Sequence, residues 1–508
     1  MHLNEVHPLC GTKGWGFQPH RRVIRRVLKE PRHEYVVQNS TKLLEMKILL
    51  MKPFGTGYYV IQPNLGLGYV ATILLEHGHD VRILDSIKEN LTWGGFERLM
   101  QNEKFDIIGI QMFTHEVPSV MKHVELIRKY RPETVIMLGG AHISGDPEGT
   151  MGLMNVDFGF VGEAEIGIDR FMKLKRKEYG NRALLKDVPN LVWRDKDRIV
   201  VNKRECVLEL DAIHYPAWHL MNPEGYPTSP HGSFCKRQPI APIIASRGCP
   251  FQCTFCAGKM VTGNRLRYRS VRNVIDEIIM LHNTYGVEEI HIEDDNFTFR
   301  KEYVMEFCRE VLKLPFTLTF ALPNGVRIDT LDKEMLAMME KTGFYSLAIG
   351  IESGSNRILK LMKKNLTTEV IREKVALIKK YTHINVTGFF MMGYPGETVE
   401  EVLESIQFAK SIKIDKASFT HVMPLPGTEL WTLYKQKVKD IDWVNFFSYR
   451  IVEGLSDIPL EDLRRLHKKA IGEFYARPRI LFGLLSEIKT LNQVKILMKR
   501  VITIFSGK

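Results

Sequence analysis

Cys249, Cys253 and Cys256 stand in the run Cys249-Pro-Phe-Gln-Cys253-Thr-Phe-Cys256, directly after the apolar, strand-like segment Ile240 to Ser246. Three thiolates on one tight loop suit three irons of a 4Fe–4S cluster, whose full protein ligation normally takes four cysteines. The remaining iron is then open to a small molecule, and chemistry can start there. A structural zinc with Cys235 as fourth ligand is the competing assignment. Zinc sites usually pair their cysteines as two knuckles, and one triplet plus a cysteine fourteen residues upstream fits that pattern poorly.

Polar residues recur downstream, each at the end of a strand-like run. Candidate strands are Glu289–Glu293, Thr317–Pro323, Ser346–Glu352, Asn385–Met392 and Ala417–Met423. They alternate with helical stretches at Val271–Tyr285, Lys301–Leu312, Lys333–Lys341, Thr368–Tyr381 and Val399–Ser411. With the strand before Cys249 this makes about six βα units, three quarters of a TIM barrel, whose chemistry sits at strand C-termini. Those ends read Glu293-Asp294-Asp295, Asn324-Gly325-Val326-Arg327, Glu352-Ser353-Gly354, Gly393-Tyr394-Pro395-Gly396-Glu397 and Pro424-Leu425-Pro426-Gly427. Any one of them is an ordinary turn with a helix cap; five in register around one mouth point to a ligand pocket.

From about residue 240 to 437 the chain resembles the radical S-adenosylmethionine (SAM) superfamily, on the cysteine spacing and the ordered strand-end motifs. The resemblance implies that Cys249, Cys253 and Cys256 ligate the cluster and that SAM chelates the open iron. It implies Phe255 against the adenine, Glu293 or Asp294 as acceptor for the SAM amino group, and Arg327, Glu352 and Ser353 on the carboxylate and ribose. Gly393, Pro395 and Gly396 would bring backbone close to the adenosine. The chemical demand is consistent, since SAM is a sulfonium with an ammonium and a carboxylate and needs acidic acceptors and a cation. One electron from the cluster yields a 5′-deoxyadenosyl radical, which takes hydrogen from carbons no side-chain base can deprotonate.

Residues 46–205 form a separate unit. Met46–Met51, Val81–Leu84, Ile107–Gln111, Val135–Leu138 and Phe158–Val161 read as parallel strands, with helices at Gly68–Glu76, Val117–Tyr130 and Glu165–Lys175. This is a doubly wound, Rossmann-like sheet of about five strands with ligand loops at strand C-termini. The Gly66-Leu67-Gly68 turn lies well past the first strand and is not a nicotinamide fingerprint. The pattern resembles the cobalamin-binding domain that precedes the barrel in one branch of radical SAM enzymes, on Pro63 through Tyr69, Leu84-Asp85, Gly139-Gly140-Ala141-His142 and Gly162-Glu163. The resemblance implies Gly66, Gly68, Tyr69, Gly139, Gly140, Gly162 and Glu163 at the cofactor. No DxHxxG follows the first strand, which implies base-off cobalamin; His115 and His142 are expected to be hydrogen-bonding residues rather than cobalt ligands. Methylthiotransferases also place such a domain first, but with cysteines for a second cluster, and none stands here between Cys10 and Cys206.

The chain of 508 residues carries a net charge of +12, concentrated at its ends: +4 over residues 1–45 and +7 over 460–508. The body between is nearly neutral, which argues against a nucleic-acid substrate. Seven cysteines, three in one loop, make no disulfide framework, and a reducing, cytoplasmic setting is expected. Asn190–Asn202 reads as a hairpin around Asp195-Lys196-Asp197. Residues 206–239 form a Pro-rich linker passing near the barrel mouth, with Trp218, His231 and Cys235 on it as candidate substrate-facing residues. Residues 438–508 form a helical C-terminal region, in which Leu481, Leu484, Ile488, Leu491, Met498, Ile502 and Phe505 make an apolar face for the barrel, a partner helix or a membrane surface. The expected activity is cobalamin-dependent radical SAM methylation of an unactivated carbon in a small-molecule or lipid substrate, fed by a donor such as flavodoxin or ferredoxin. Within this resemblance, one SAM methylates the cobalamin and a second supplies the radical. A cobalamin-bearing radical SAM cyclase shares every motif above; a non-catalytic cobalamin or metal sensor would not need the SAM pocket.

Overall fold

Alternation along the first strand, β1 (Lys47–Lys52), decides the N-terminal architecture. Leu49 and Met51 point to one face of the sheet and meet Phe96, Met100, Val120 and Val124; Ile48 and Leu50 point to the other and meet Leu67, Ala71, Leu74 and Phe171. Both faces are therefore covered by helices, Trp93–Asn102 and Val117–Tyr130 on the first and Leu65–Glu76 and Glu165–Met172 on the second. The strands β2 (Asp80–Asp85), β3 (Ile107–Gln111), β4 (Val135–Gly139) and β5 (Phe158–Phe160) run parallel to β1. A hairpin of β6 (Leu191–Asp195) and β7 (Arg198–Val201) continues the sheet antiparallel from β5, giving seven strands in the order β2-β1-β3-β4-β5-β6-β7. Because β1 lies between β2 and β3, the winding reverses there and a crevice opens at the C-terminal ends of β1 and β3.

The second sheet is an open, all-parallel barrel of six strands. These are β8 (Ile240–Ile243), β11 (Glu289–Ile292), β12 (Thr319–Val326), β13 (Phe344–Glu352), β14 (Asn385–Met392) and β15 (Lys416–His421), hydrogen-bonded in that order. Between β8 and β11 a short antiparallel pair, β9 (Ser246–Arg247) and β10 (Arg267–Tyr268), closes the base of the loop that carries the three cysteines. The registers of β12 and β13 shift near their C-terminal ends, between Leu322 and Val326 and between Gly350 and Glu352. Such bulges re-aim side chains where pairing ends.

The exposed edge of β15 is covered from the C-terminal region. Helix Leu460–Tyr475 lies across it, with the Tyr475 hydroxyl donating to Ala417 O at 2.7 Å and the His467 Nε2 at 2.9 Å from Phe419 O. Unpaired strand groups are thereby satisfied and shielded. In the following helix, Pro478–Ser486, it is Ile480 and Leu484 that face the core. Leu481, expected on the packed face, is turned out together with Phe482 and Leu485. No helix among the described residues is long and apolar enough to cross a membrane.

This computed structural model describes residues 45–54, 61–226, 234–447, 449–488, 490–491 and 493–495. Residues 1–44 of the basic N-terminal stretch 1–45, with His231, Met498, Ile502 and Phe505, lie outside the described residues. From Glu45 onward the two sheets belong to one unit. The described residues of the linker do not cross the barrel mouth as expected. Trp218 is buried between the sheets, donating from Nε1 to Glu277 at 2.9 Å, and Cys235 lies beside Glu289 at the N-terminal end of β11.

A buried ion pair joins the two sheets. Arg267 of β10 donates twice to Glu163, at 2.6 and 2.9 Å, and both side chains are 3% exposed. Arg247 of β9 reaches Glu165 at 2.8 Å and lies over the Tyr69 ring at 4.9 Å. Glu163→Gln or Arg267→Met alone is expected to cost about 3–5 kcal/mol, because each strands a buried partner. The double variant is expected to lose clearly less than the sum of the two, read from thermal unfolding.

Candidate functional site

The cysteine loop hangs between β9 and β10 and is gripped along its length. Gly248 has φ +94°, and a Cβ there would fall 2.3 Å from Arg265 O, so only glycine lets the loop close on itself. Cys249 N donates to Gly263 O at 3.2 Å, and Cys256 N to Cys253 O at 3.2 Å. Thr254, buried between two of the cysteines, donates from its backbone N to Met362 O at 3.1 Å, and its hydroxyl meets that of Tyr394 at 2.8 Å. Tyr394 also donates to Leu361 O at 3.2 Å. Arg327 lies 3.7 Å over the Phe251 ring and donates to Asp329, to Lys364 O at 2.8 Å and to Asn365 O at 3.2 Å. In that segment Lys363 and Asn365 both take left-handed backbone, φ 52° and 53°. Loop, segment 361–365 and two strand-end side chains thus form one braced unit.

The donor set fits a cluster with one open position. Burial raises the pKa of each of the three thiols, and their proximity to one another raises it further. Lys364 and Arg327 act in the opposite sense at Cys253. Among the described residues no fourth cysteine joins them: Cys235 stands beside Glu289, Cys308 is in the core and Cys206 is exposed elsewhere. Cys235 is therefore not placed to complete a zinc site with the triplet.

At the barrel mouth the strand ends separate into two groups. Glu352 ends β13 in left-handed backbone, φ 67°, unusual for a residue other than glycine. Its carboxylate accepts from Lys364 Nζ at 2.7 Å, and both side chains are about nine-tenths buried. A Cβ on Gly350 would meet Glu352 Oε1 at 2.4 Å and Lys364 Nζ at 2.6 Å, so the glycine makes room for this pair. Glu293 is half-buried at the end of β11, and Phe255 packs on the aromatic cluster containing Tyr394, Trp431 and Tyr434. Asp294 turns away from the mouth. Its oxygens accept from Ala245 N at 2.7 Å and Ser246 Oγ at 2.6 Å, and burial raises its pKa to about 7. Ser353 is likewise internal, 3.1 Å from Ser405 Oγ and accepting from Ser355 N at 3.1 Å. Gly393 and Gly396 have φ 82° and 77° on either side of Tyr394 and Pro395. Their backbone N–H groups donate to Glu397 at 2.6 Å and to Asp457 at 2.7 Å.

Lys364 and Tyr394 are the residues that sequence reasoning missed. Lys364 comes twelve residues after Glu352, beyond a short helix, and only the fold shows that they pair. Tyr394 stood inside a motif read for its glycines.

At the other end of the site, the crevice of the N-terminal sheet is lined by buried polar atoms without a protein partner among the described residues. These are Gln62 Oε1, Asp85 Oδ2, Ser86 Oγ and His142 Nε2. Buried polar atoms require partners, and a large ligand rimmed with amides, as cobalamin is, would supply them. Gly140, φ 104°, would put a Cβ 2.8 Å from Met112 O, while nothing lies within 4 Å of one built on Gly139. His142 sits 3.2 Å from Thr114 Oγ1, its pKa lowered by burial to about 3; His115 is lowered to about 4 by burial and Lys52. Both imidazoles are neutral near pH 7.

Three of the residues expected at the cofactor, Gly68, Tyr69 and Glu163, make their contacts with the linker or the barrel side. Gly68 lies under Met221 and Pro216 of the linker, at 2.5 and 2.7 Å from a Cβ built there. Tyr69 is in the interdomain core, its pKa raised to about 12 chiefly by burial. Glu163 is held by Arg267, and Gly162, φ 70°, donates to Ser144 Oγ at 2.8 Å. Gly66 is in the first turn of the helix capped by Asn64.

The two ends meet at a cavity of about 160 Å³. Phe113, Thr114 and Ala141 come from the ends of β3 and β4, Ala257 directly follows Cys256, and Met423 and Pro426 follow β15. Contact there is close: a Cβ on Gly145 would fall 2.2 Å from Pro426 O.

Comparison with known proteins bears on this arrangement. Residues 243–409 match the Radical SAM superfamily and residues 52–171 the B12 binding domain. An uncharacterized methyltransferase of Pyrococcus horikoshii is 29% identical over 82% of this chain and 89% of its own length. The cytidylyl-2-hydroxyethylphosphonate methyltransferase of Streptomyces wedmorensis is 31% identical over 76% of this chain and 80% of its own. In fold, the cobalamin-dependent S-adenosylmethionine radical enzyme OxsB with aqua-cobalamin bound superimposes with a TM-score of 0.67 at 17% identity, covering 91% of this chain and 72% of that one. This chain belongs to the radical SAM enzymes that carry a B12-binding domain, and a 4Fe–4S cluster, SAM and cobalamin are its cofactors.

Proposed function

We propose that this protein methylates an unactivated carbon of a small-molecule or lipid substrate. The observation that carries this reading is the shared cavity, which places the B12-side strand ends and the residue after Cys256 around one largely apolar space. When bound, the cluster and cobalamin supply reductive cleavage of SAM and carriage of a methyl group. The chain's own residues bind, orient and exclude water. Lys364 and Glu352 offer a cation and an anion to the carboxylate and ammonium of SAM, with Glu293 as a second acceptor. Phe255 and the Gly393–Gly396 backbone flank its adenosine. Arg327 and Tyr394 are positioning residues that hold the cysteine loop, and Asp294 ties the end of β11 to the strand leading into it. Gly139, Gly140 and the buried polar atoms around Asp85 would receive cobalamin, and His142 and His115 would serve there as hydrogen-bonding residues rather than ligands to its metal. A one-electron donor such as flavodoxin or ferredoxin serves the cluster.

Anaerobic reconstitution with iron, sulfide, cobalamin and methyl-labelled SAM, followed by mass spectrometry of extract metabolites, tests the activity. Label in a product is the expected result. Deoxyadenosine with an unlabelled product two hydrogens lighter would replace methylation with cyclisation or oxidation, and cobalamin binding without SAM cleavage would favour a sensor.

The roles at the mouth separate by variant. Glu352→Gln is expected to weaken SAM by about 1.5–3 kcal/mol, roughly tenfold to hundredfold, with iron content unchanged. Arg327→Met is expected to lower retained iron itself, because it releases the loop from segment 361–365. Titrating SAM against the cluster's EPR signal, beside iron analysis, reads both. Equal SAM binding in Glu352→Gln and parent would remove Glu352 from the pocket.

A lipid substrate or peripheral membrane contact draws support from the C-terminal region. Phe482, Leu485 and Leu491 are 70%, 51% and 82% exposed. Residues 460–508 carry a net +7, which complements an anionic surface. The chain is expected to sediment with phosphatidylglycerol vesicles at low salt, and the Phe482→Asp/Leu485→Asp variant to remain in solution. Equal partition of the two would exclude this surface.

A further inference from the structure

A second group of metal-ligating side chains stands at the opposite end of the barrel. Cys235 of the linker and Glu289 and His291 of β11 each place a ligand atom within 4.8 Å of the other two. Glu289 opens β11 and pairs in register with Ile240 of β8 and Thr319 of β12, so the group sits at the strand N-termini, away from the cysteine loop. It is interior: Glu289 is 0% exposed and His291 4%, and Cys235 is half-buried.

The carboxylate is held in one orientation. Oε2 of Glu289 accepts from the backbone N–H groups of Lys236 and Arg237, at 2.9 and 2.8 Å, and from Thr319 Oγ1 at 2.8 Å. Oε1 accepts from the Tyr345 hydroxyl at 2.7 Å and faces His291 Nε2 at 2.8 Å. Two of these donors are the two residues that follow Cys235, so the strand and the linker are oriented on each other. A fixed carboxylate beside an imidazole and a thiol is an arrangement that metal sites require and that their surrounding hydrogen bonds provide.

We propose that Cys235, Glu289 and His291 bind a zinc ion. One sulfur, one nitrogen and one oxygen donor form a mixed set of the softness zinc takes, with solvent as the fourth ligand of a tetrahedral site. At the N-terminal end of a barrel the ion serves stability rather than turnover. Its mechanical role is to pin the linker, which descends from the N-terminal sheet, beneath the barrel. The competing arrangement is a closed hydrogen-bond network in which the thiol and imidazole serve Glu289 with no metal.

Metal analysis of the reconstituted full-length enzyme, washed with chelator and then supplied with zinc, distinguishes the two. About one zinc per chain is expected in addition to iron. Cys235→Ser is expected to weaken zinc by at least about tenfold while cluster absorbance and deoxyadenosine formation persist. The Cys249→Ala/Cys253→Ala/Cys256→Ala variant is expected to lose iron and keep zinc, so failure of the cluster assignment and failure of this one give different results. In that variant, cobalamin-free, added cobalt(II) is expected to give a thiolate-to-cobalt band that disappears in His291→Asn as well as Cys235→Ser. No zinc in the parent, zinc lost with the cluster cysteines, or zinc unchanged in Cys235→Ser would each overturn the site and leave the closed network.

Discussion

The ion pair between Glu163 and Arg267 is the contact on which the arrangement of the site depends. Arg267 is the first residue after the cysteine loop, in β10, and Glu163 lies just past the end of β5 in the N-terminal sheet. The guanidinium also donates to Thr262 O within the loop, to Val207 O in the linker and to Arg265 O, so every one of its N–H groups is used. Burying two charges costs several kcal/mol for each unless such bonds are complete. Here they are complete. The pair consequently contributes more to the unique placement of one sheet on the other than to net stability, and a chemistry that needs two cofactors at one cavity needs that placement.

Backbone strain marks the same constraint at the barrel mouth. Glu352 is held at φ 67°, and its strand slips register at that point. Left-handed backbone at a non-glycine residue costs of order 1–3 kcal/mol. The return is the direction of the carboxylate, which lies across Gly350 onto Lys364 instead of following the pleat. Segment 361–365 repeats the device at Lys363 and Asn365, whose turn presents the carbonyls of Leu361, Met362, Lys364 and Asn365 to Tyr394, Thr254 and Arg327.

The strands were readable because each is a short apolar run between helical stretches, and Asn385–Met392 and Ile107–Gln111 stand in the fold as the sequence bounds them. Helix Trp93–Asn102 was not readable, since Trp93-Gly94-Gly95 has the composition of a turn and only Phe96 and Met100 of the helix are buried. The hairpin at β6 and β7 was visible as a hairpin, but pairing with β5 is a tertiary fact. Glycine was the ambiguous signal. It reports that something approaches closely, not what approaches: at Gly350 a salt bridge, at Gly68 the linker, at Gly145 the barrel loop. Acidic residues are ambiguous in the same way: Asp294 and Glu163, which the resemblance sets beside cofactors, hold protein donors in the fold.

The Glu352–Lys364 pair has a consequence for binding that follows from its burial. Two charges that neutralise each other in a low-dielectric pocket already bear their desolvation cost before a ligand arrives. A ligand with both an ammonium and a carboxylate can exchange one partner for each, so no charge is left unpaired at any stage. A ligand with only one of these groups would strand either the lysine or the glutamate, at the cost of a buried unpaired charge. The pair therefore selects for amino-acid-like zwitterions by what it would cost to bind anything else. The neighbouring thiols reinforce this selection, because Lys364 is also among the cations that act on Cys253, and its charge remains balanced only while Glu352 or a carboxylate in its place stays beside it.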